Sequence, residues 1–226
     1  MGRNLALPAW VNQSLSAGLL ADAEWWDEIA STNTRAVGLA GELLLASSFH
    51  GPVLVGATRQ SAGRGRGTNV WWSGAGALTI SLIIRSSDYG WQPSDDPAAA
   101  ITTATAICRA AESVVSDAVL GIKWPNDVWC RGRKIGGLLV EPVPGSFGPG
   151  RLLVVGVGFN VNNRMTGTPV EATATSLVEA YSGGGDSDAI DMDRFGMAFL
   201  QATIHAWKEL ASNRSLLAAE WRERCV

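Results

Sequence analysis

The segment Gln60-Ser61-Ala62-Gly63-Arg64-Gly65-Arg66-Gly67, running on to Trp71-Trp72, sets bare backbone beside guanidinium groups and an aromatic pair. Glycines let main-chain N–H groups approach an anion with no Cβ in the way, and Arg64 and Arg66 offer fixed donor forks to phosphate oxygens. With Trp71 as a stacking face the segment suits a phosphate-bearing nucleotide; the Gly/Arg string taken alone reads equally as a solvated loop. In Lys123-Trp124-Pro125-Asn126-Asp127, Pro125 fixes a turn that presents an amide and a carboxylate between apolar runs. By itself Pro-Asn-Asp is an ordinary turn. Lys134 opens the apolar stretch Ile135-Gly136-Gly137-Leu138-Leu139-Val140-Glu141, either as an edge charge or as an ammonium aimed at a carboxylate or phosphate. Gly156, Gly158 and Asn160 close a further apolar run, as a bulge and turn or as a close approach of backbone to a ligand.

Such groups need elements to hold them. Ser31-Thr32-Asn33 offers caps for a helix over Arg35 to Ala46. Residues 52–58 and 77–85 are β-rich, so the Gly/Arg segment joins two buried strands. Asp95-Asp96-Pro97 predicts a cap and a first-turn proline for a long helix from about Ala98 to Val119, with Ile101, Ala104, Thr105, Cys108 and Ala111 on one face. Short strands follow at Ile122–Trp124, Val128–Cys130, Lys134–Glu141 and Leu152–Gly158, with Arg131-Gly132-Arg133 as a hairpin turn. Pro142–Gly150 and Gly183–Asp188 read as surface loops, and Asp191–Ala211 and Ser215–Arg224 as closing helices. This order predicts an α+β fold, a mixed and largely antiparallel sheet packed against helices, and not a doubly wound parallel sheet.

With 46% hydrophobic and 17% charged residues among 226, the chain has enough apolar material for one well-cored domain. A net charge of −3 and a pI near 5.4 provide no global basic field, which argues against a nucleic-acid partner. Any anion site must be local. Cys108, Cys130 and Cys225 are odd in number and far apart, as expected of free thiols in a reducing compartment. His50 and His205 are the only histidines, with no HxxxH or Cys/His spacing, so no dedicated metal site is expected. Residues 1–23 lack both a signal-peptide core and a membrane span. A cytoplasmic protein without membrane association is expected.

Taken together and in this order, Ser31-Thr32-Asn33, Gln60 to Arg66, Trp71, Lys123 to Asp127, Lys134 to Gly137 and Gly156-Val157-Gly158-Phe159-Asn160 resemble the catalytic domain of biotin protein ligases, with Thr175-Ser176-Leu177 as a weaker echo. The resemblance is good from about Trp25 to Leu177. It implies the class II synthetase-like fold of the biotin/lipoate ligase superfamily. It also implies ATP-dependent adenylation of biotin followed by transfer to a lysine of a biotin carboxyl carrier protein, as in acetyl-CoA carboxylase, with ATP and biotin as substrates and Mg2+ as their usual companion. Carried over position by position, Ser31, Thr32, Gln60, Gly63, Arg64, Lys134, Gly137 and Gly156 resemble the biotin contacts. Arg66, Trp71, Lys123, Asn126 and Asn160 resemble the nucleotide contacts. Lys134, Arg64 and Arg66 would stabilise charge on the reacting carboxylate and α-phosphate, and Asp127 would either orient the incoming amine or cap the Pro125-Asn126 turn.

The pattern departs from the family in two places. Asn69 stands where relatives commonly carry a further loop arginine, and the chain ends at Val226, where many relatives continue into a small β-barrel. The expected organisation is an N-terminal extension over 1–24 and a catalytic domain over 25–226, without a winged helix before it or a barrel after it. Alternatives are a non-catalytic or partner-dependent binder of biotin or its adenylate, and, further off, a lipoate ligase or octanoyltransferase. A transcriptional regulator is disfavoured by the missing DNA-reading module. Pairing of sheet edges into a homodimer is also compatible with the sequence.

Overall fold

Continuous apolar runs such as Ala77–Arg85 and Leu152–Asn160 belong in the middle of a sheet covered on both faces, and that is where the computed structural model puts them. It describes residues 3, 4, 6–45, 49–181 and 189–226; the expected Gly183–Asp188 loop lies outside the described residues. The strands are β1 (Arg3–Asn4), β2 (Asp22–Ile29), β3 (Val53–Gln60), β4 (Ala77–Arg85), β5 (Gly121–Lys123), β6 (Asp127–Cys130), β7 (Arg133–Pro142) and β8 (Leu152–Asn160). They form one eight-stranded sheet in the order β1-β2-β3-β4-β8-β7-β6-β5. Among these strands β2 and β3 pair in parallel and the other neighbours are antiparallel. The central pair β4–β8 keeps register from Ala77↔Asn160 to Arg85↔Leu152 without a break. The α+β expectation therefore holds.

The helices are α1 (Ala9–Ser16), α2 (Thr32–Leu45), α3 (Ala98–Val114), α4 (Leu177–Tyr181), α5 (Met192–Ser212) and α6 (Arg214–Arg224). Because strand side chains alternate between faces, Leu54, Leu82 and Val155 point into the main core with α1, α3 and α5, where Trp10, Phe195, Phe199 and Trp207 are buried. Val53, Val55, Ile83 and Val154 point the other way, onto Ala36 and Ala40 of α2. Residues before Trp25 contribute to this core: Trp10 is 2% exposed and packs so tightly on α5 that a Cβ at Gly196 would lie 2.5 Å from its ring.

Three local expectations change. Helix α2 begins at Thr32, not Arg35; Ser31 Oγ accepts from the Thr34 N–H at 3.4 Å, and Thr32 and Asn33 fall in the first turn with their side chains available elsewhere. Helix α3 ends at Val114, because Val115 turns extended (φ −126°, ψ 102°) ahead of Ser116-Asp117, where a β-branched pair and turn-forming residues outweigh the apolar periodicity. The residue before it, Pro97, gives no side-chain cap. Asp95 instead accepts from the Gln92 N–H at 2.8 Å, and Asp96 pairs with Arg151.

Helix α6 is fastened by ion pairs. Arg109 of α3 bridges Glu209 (2.6 Å) and Glu220 (2.5 Å), and Arg224 bridges Glu112 (2.5 Å) and Glu220 (3.1 Å). Beyond it the Val226 N–H donates to Ile122 O at 3.2 Å, beside the β5 edge.

Candidate functional site

Helix α2 covers only one end of its face of the sheet. At the other end the same-face positions of the central strands are small: Thr79 and Ser81 on β4, Gly156 and Gly158 on β8, and Gly137 on β7, aligned by the registers Ser81↔Gly156↔Leu139 and Thr79↔Gly158↔Gly137. The result is a trough whose cavity measures about 650 Å3. Its roof is close. A Cβ at Gly156 would sit 1.9 Å from Asn33 Oδ1, one at Gly158 would sit 2.4 Å from the Trp71 indole, and one at Gly137 would sit 3.2 Å from Lys134 Nζ.

One end of the trough is polar. Gln60 Oε1 accepts from the Thr32 N–H (2.7 Å) and hydroxyl (3.1 Å), and Ser81 Oγ lies 2.9 Å from Thr32 Oγ1 while donating to Asn33 Oδ1 at 2.6 Å. The buried Asn33 amide also donates to Leu139 O (3.1 Å) and Glu141 Oε2 (2.9 Å). These bonds fix the orientation of every polar group at that end.

The trough is also lined by cations. Arg64, Arg66 and Lys134 all line the cavity. Lys134 Nζ is 2.6 Å from Asp127 Oδ1 and 5.8 Å from the Trp71 ring centre. Arg64 makes a bidentate pair with Glu141 at 2.7 and 3.0 Å. Trp71 Nε1 is buried and has no hydrogen-bond partner among the described residues. It faces Gly158, where a Cβ would lie 2.6 Å from it.

The Gly/Arg segment is a closed loop. The Trp71 N–H donates to Gly63 O at 2.9 Å, Gly65 to Asn69 O at 2.8 Å and Asn69 to Arg66 O at 3.3 Å, around Gly67 at φ +66°. Gly63 therefore shapes the loop neck, where a Cβ would meet Trp71 O at 2.3 Å, and does not line the cavity itself. The position of the family's extra arginine, Asn69, closes the tip through its backbone.

Ser31, Thr32, Gln60, Gly137, Gly156, Trp71, Asn126 and Asp127 join Arg64, Arg66 and Lys134 around the one cavity. Two residues expected at the nucleotide are elsewhere. Lys123 Nζ lies over the Trp129 ring at 4.3 Å. Asn160 is buried and donates to Thr175 O at 3.0 Å; the Thr175 N–H in turn donates to Lys134 O at 2.9 Å, so Asn160 braces the lysine's backbone from behind. Asn126 clips its turn to β7 by donating to Leu138 O at 2.8 Å.

Residues 25–160 match the model of the biotin/lipoate A/B protein ligase family. The chain belongs to that family. A biotin–[acetyl-CoA-carboxylase] ligase of Mycobacterium tuberculosis is 30% identical over 99% of this chain and 80% of its own length. The bifunctional ligase/repressor BirA of Bacillus subtilis is 36% identical over 68% of this chain, which matches 45% of that protein. Among solved structures, the biotin protein ligase of Aquifex aeolicus, determined with biotin and ATP, shares the fold with a TM-score of 0.70 at 21% identity, over 91% of this chain and 78% of that one.

Within this biotin/lipoate ligase domain, sequence reasoning left three participants unassigned. Ser81 carries no signal beyond strand alternation. Asn33 is in the opening motif but reads as a helix cap. Glu141 ends the Lys134 strand, and a carboxylate closing an apolar run was the one visible hint of its part in the site.

Proposed function

We propose that this chain is an ATP-dependent biotin protein ligase. It joins the biotin carboxylate to the α-phosphorus of ATP with loss of pyrophosphate, then passes the biotinyl group to a lysine amine of a biotin carboxyl carrier protein with loss of AMP. The observation that carries this reading is a single trough lined both by a fixed hydrogen-bonding cluster around Thr32, Gln60 and Ser81 and by three cations, Arg64, Arg66 and Lys134. A ligand with a polar uncharged head and an anionic tail fits that polarity. The carboxylate and α-phosphate must meet although both are negative, so the barrier falls where preorganised cations receive the charge that accumulates.

In this reading Thr32 and Gln60 contact the polar head. Lys134 leaves Asp127 for the carboxylate and α-phosphate, Arg64 and Arg66 hold phosphate oxygens, and Trp71 offers its ring to the nucleotide. Asp127, once released, lies where an incoming lysine amine can be oriented or deprotonated. Attack of that amine on the mixed anhydride forms the amide and breaks the C–O bond to AMP, and no covalent enzyme intermediate is required. Among the described residues no cluster of three or more His, Cys, Asp or Glu side chains is placed to hold a metal. Mg2+ would accompany the nucleotide and neutralise phosphate charge, and Asp127 is the cavity-lining carboxylate that would help hold it. The carrier would be that of acetyl-CoA carboxylase or a related carboxylase, and the setting cytoplasmic.

The test is biotin- and ATP-dependent pyrophosphate release by the purified chain, with and without a biotin carboxyl carrier domain, followed by mass analysis of the carrier. One added biotinyl group on the carrier is the expected outcome. Biotin binding without pyrophosphate release would sink the ligase reading.

A further inference from the structure

Glu141 stands at the end of β7, on the same face as Gly137 and Leu139 and opposite Val154 of β8. It does not line the cavity. Its carboxylate nevertheless accepts three bonds from residues that do: Arg64 Nη2 at 2.7 Å to Oε1, Arg64 Nη1 at 3.0 Å to Oε2, and Asn33 Nδ2 at 2.9 Å to Oε2. Arg64 comes from the Gly/Arg loop and Asn33 from the first turn of α2. One carboxylate thus ties the Gly/Arg loop to the first turn of α2.

The two partners differ in how much they depend on it. Asn33 is held also by Ser81 and by Leu139 O. Arg64, 45% exposed, has Glu141 as its ion-pair partner, and a long flexible side chain keeps a useful orientation only while something fixes its fork. Arg66, two residues further along the loop, has no ion pair among the described residues and serves as an internal comparison.

We propose that Glu141 is a positioning residue of this site: it aims the Arg64 guanidinium along the trough and clasps the Gly/Arg loop against β7, while touching neither substrate. The proposal rests on the ligase reading for its catalytic consequence, but the clasp is a property of the chain itself. The Glu141→Gln variant separates the two partners. A glutamine oxygen still accepts from Asn33, whereas the bidentate charged pair with Arg64 is lost.

The experiment has two readouts. Limited trypsin digestion of native protein compares cleavage after Arg64 with cleavage after Arg66; Glu141→Gln should raise the first relative to the second about fivefold with Tm nearly unchanged. Calorimetry with a non-hydrolysable ATP analogue should show about five- to tenfold weaker binding, the range for losing a half-exposed charge-assisted pair, and biotin affinity within about twofold. In an Arg64→Ala background, Glu141→Gln should leave analogue binding unchanged, the non-additivity expected of residues acting through one another. Unchanged cleavage would overturn the clasp, and unchanged analogue affinity, or full additivity, would overturn the positioning role. Absence of pyrophosphate release by the wild type would defeat the ligase reading separately, leaving the trypsin comparison to decide the clasp.

Discussion

Replacing Gly156 by alanine tests the architecture of the trough directly. The added methyl carbon would lie 1.9 Å from Asn33 Oδ1, 2.7 Å from its Cγ and 2.9 Å from its Nδ2, so the whole amide must leave. That amide holds three hydrogen bonds, with Ser81, Leu139 O and Glu141, each worth about 1 kcal/mol net. Backbone shift adds ~1 kcal/mol or more, while reduced unfolded-state freedom returns about 0.4–1 kcal/mol. The expected net loss is about 2–4 kcal/mol, which for a chain of this size lowers Tm by roughly 5–15 °C. Differential scanning calorimetry reads it. The decisive control is the Asn33→Ala background, where the colliding atoms are gone; adding Gly156→Ala there should cost less than ~1 kcal/mol. A single variant melting within about 2 °C of wild type, or additive losses in the double variant, would show that Asn33 does not roof Gly156.

Other consequences are open to simpler measurements. Lys134→Ala should reduce biotin-dependent pyrophosphate release by about 10²-fold or more, the scale for losing a preorganised charge at the reacting centre, while circular dichroism stays that of the wild type; retention of the wild-type rate would remove Lys134 from the chemistry. Burial alone would push the Glu220 carboxyl up, but Arg109 and Arg224 outweigh it and hold the group below its ordinary value. A depressed carboxyl contributes stability that is present above its unfolded pKa and lost as pH falls through the folded one. Tm should therefore drop below about pH 4.5, more steeply in wild type than in Glu220→Gln, and parallel curves would contradict the pairing. Burial raises the Cys108 thiol to about 12, whereas Cys225 is exposed. Native alkylation at pH 8 followed by peptide mapping should label Cys225 and spare Cys108.

Much of the scaffold is written as local pattern. The runs at 77–85 and 152–158 reappear as the central strands because length, β-branching and continuous apolarity all agree. Strand β2 left no such trace: Asp22, Glu24, Asp27 and Glu28 interrupt it, and Glu24 is buried only because Arg35 (2.8 Å) and Trp26 Nε1 (3.0 Å) satisfy it from other positions. Its parallel pairing with β3 depends on the crossover through α2, which no local pattern specifies. The cations of the site were legible because glycine-flanked arginines and a lysine within an apolar strand are unusual. Their counter-charges were less so. Asp127 is adjacent to Asn126 in a motif, but Glu141 meets Arg64 across 77 residues of sequence, and only the folded sheet reveals the contact. Lys123 and Asn160 failed to reach the cavity for the converse reason: motif membership does not say which way a strand residue points.

The unbroken β4–β8 pairing has a kinetic side. It joins Ala77–Arg85 to Leu152–Asn160, and the trough straddles that seam, with Thr32, Gln60 and Ser81 on one side and Asp127, Lys134 and Gly156 on the other. Pairings between stretches so distant in sequence form late, after the entropy of closing the intervening chain has been met. Because its two sides come from β4 and β8, a ligand bound across the trough would stabilise the fold globally by mass action and slow opening of the seam.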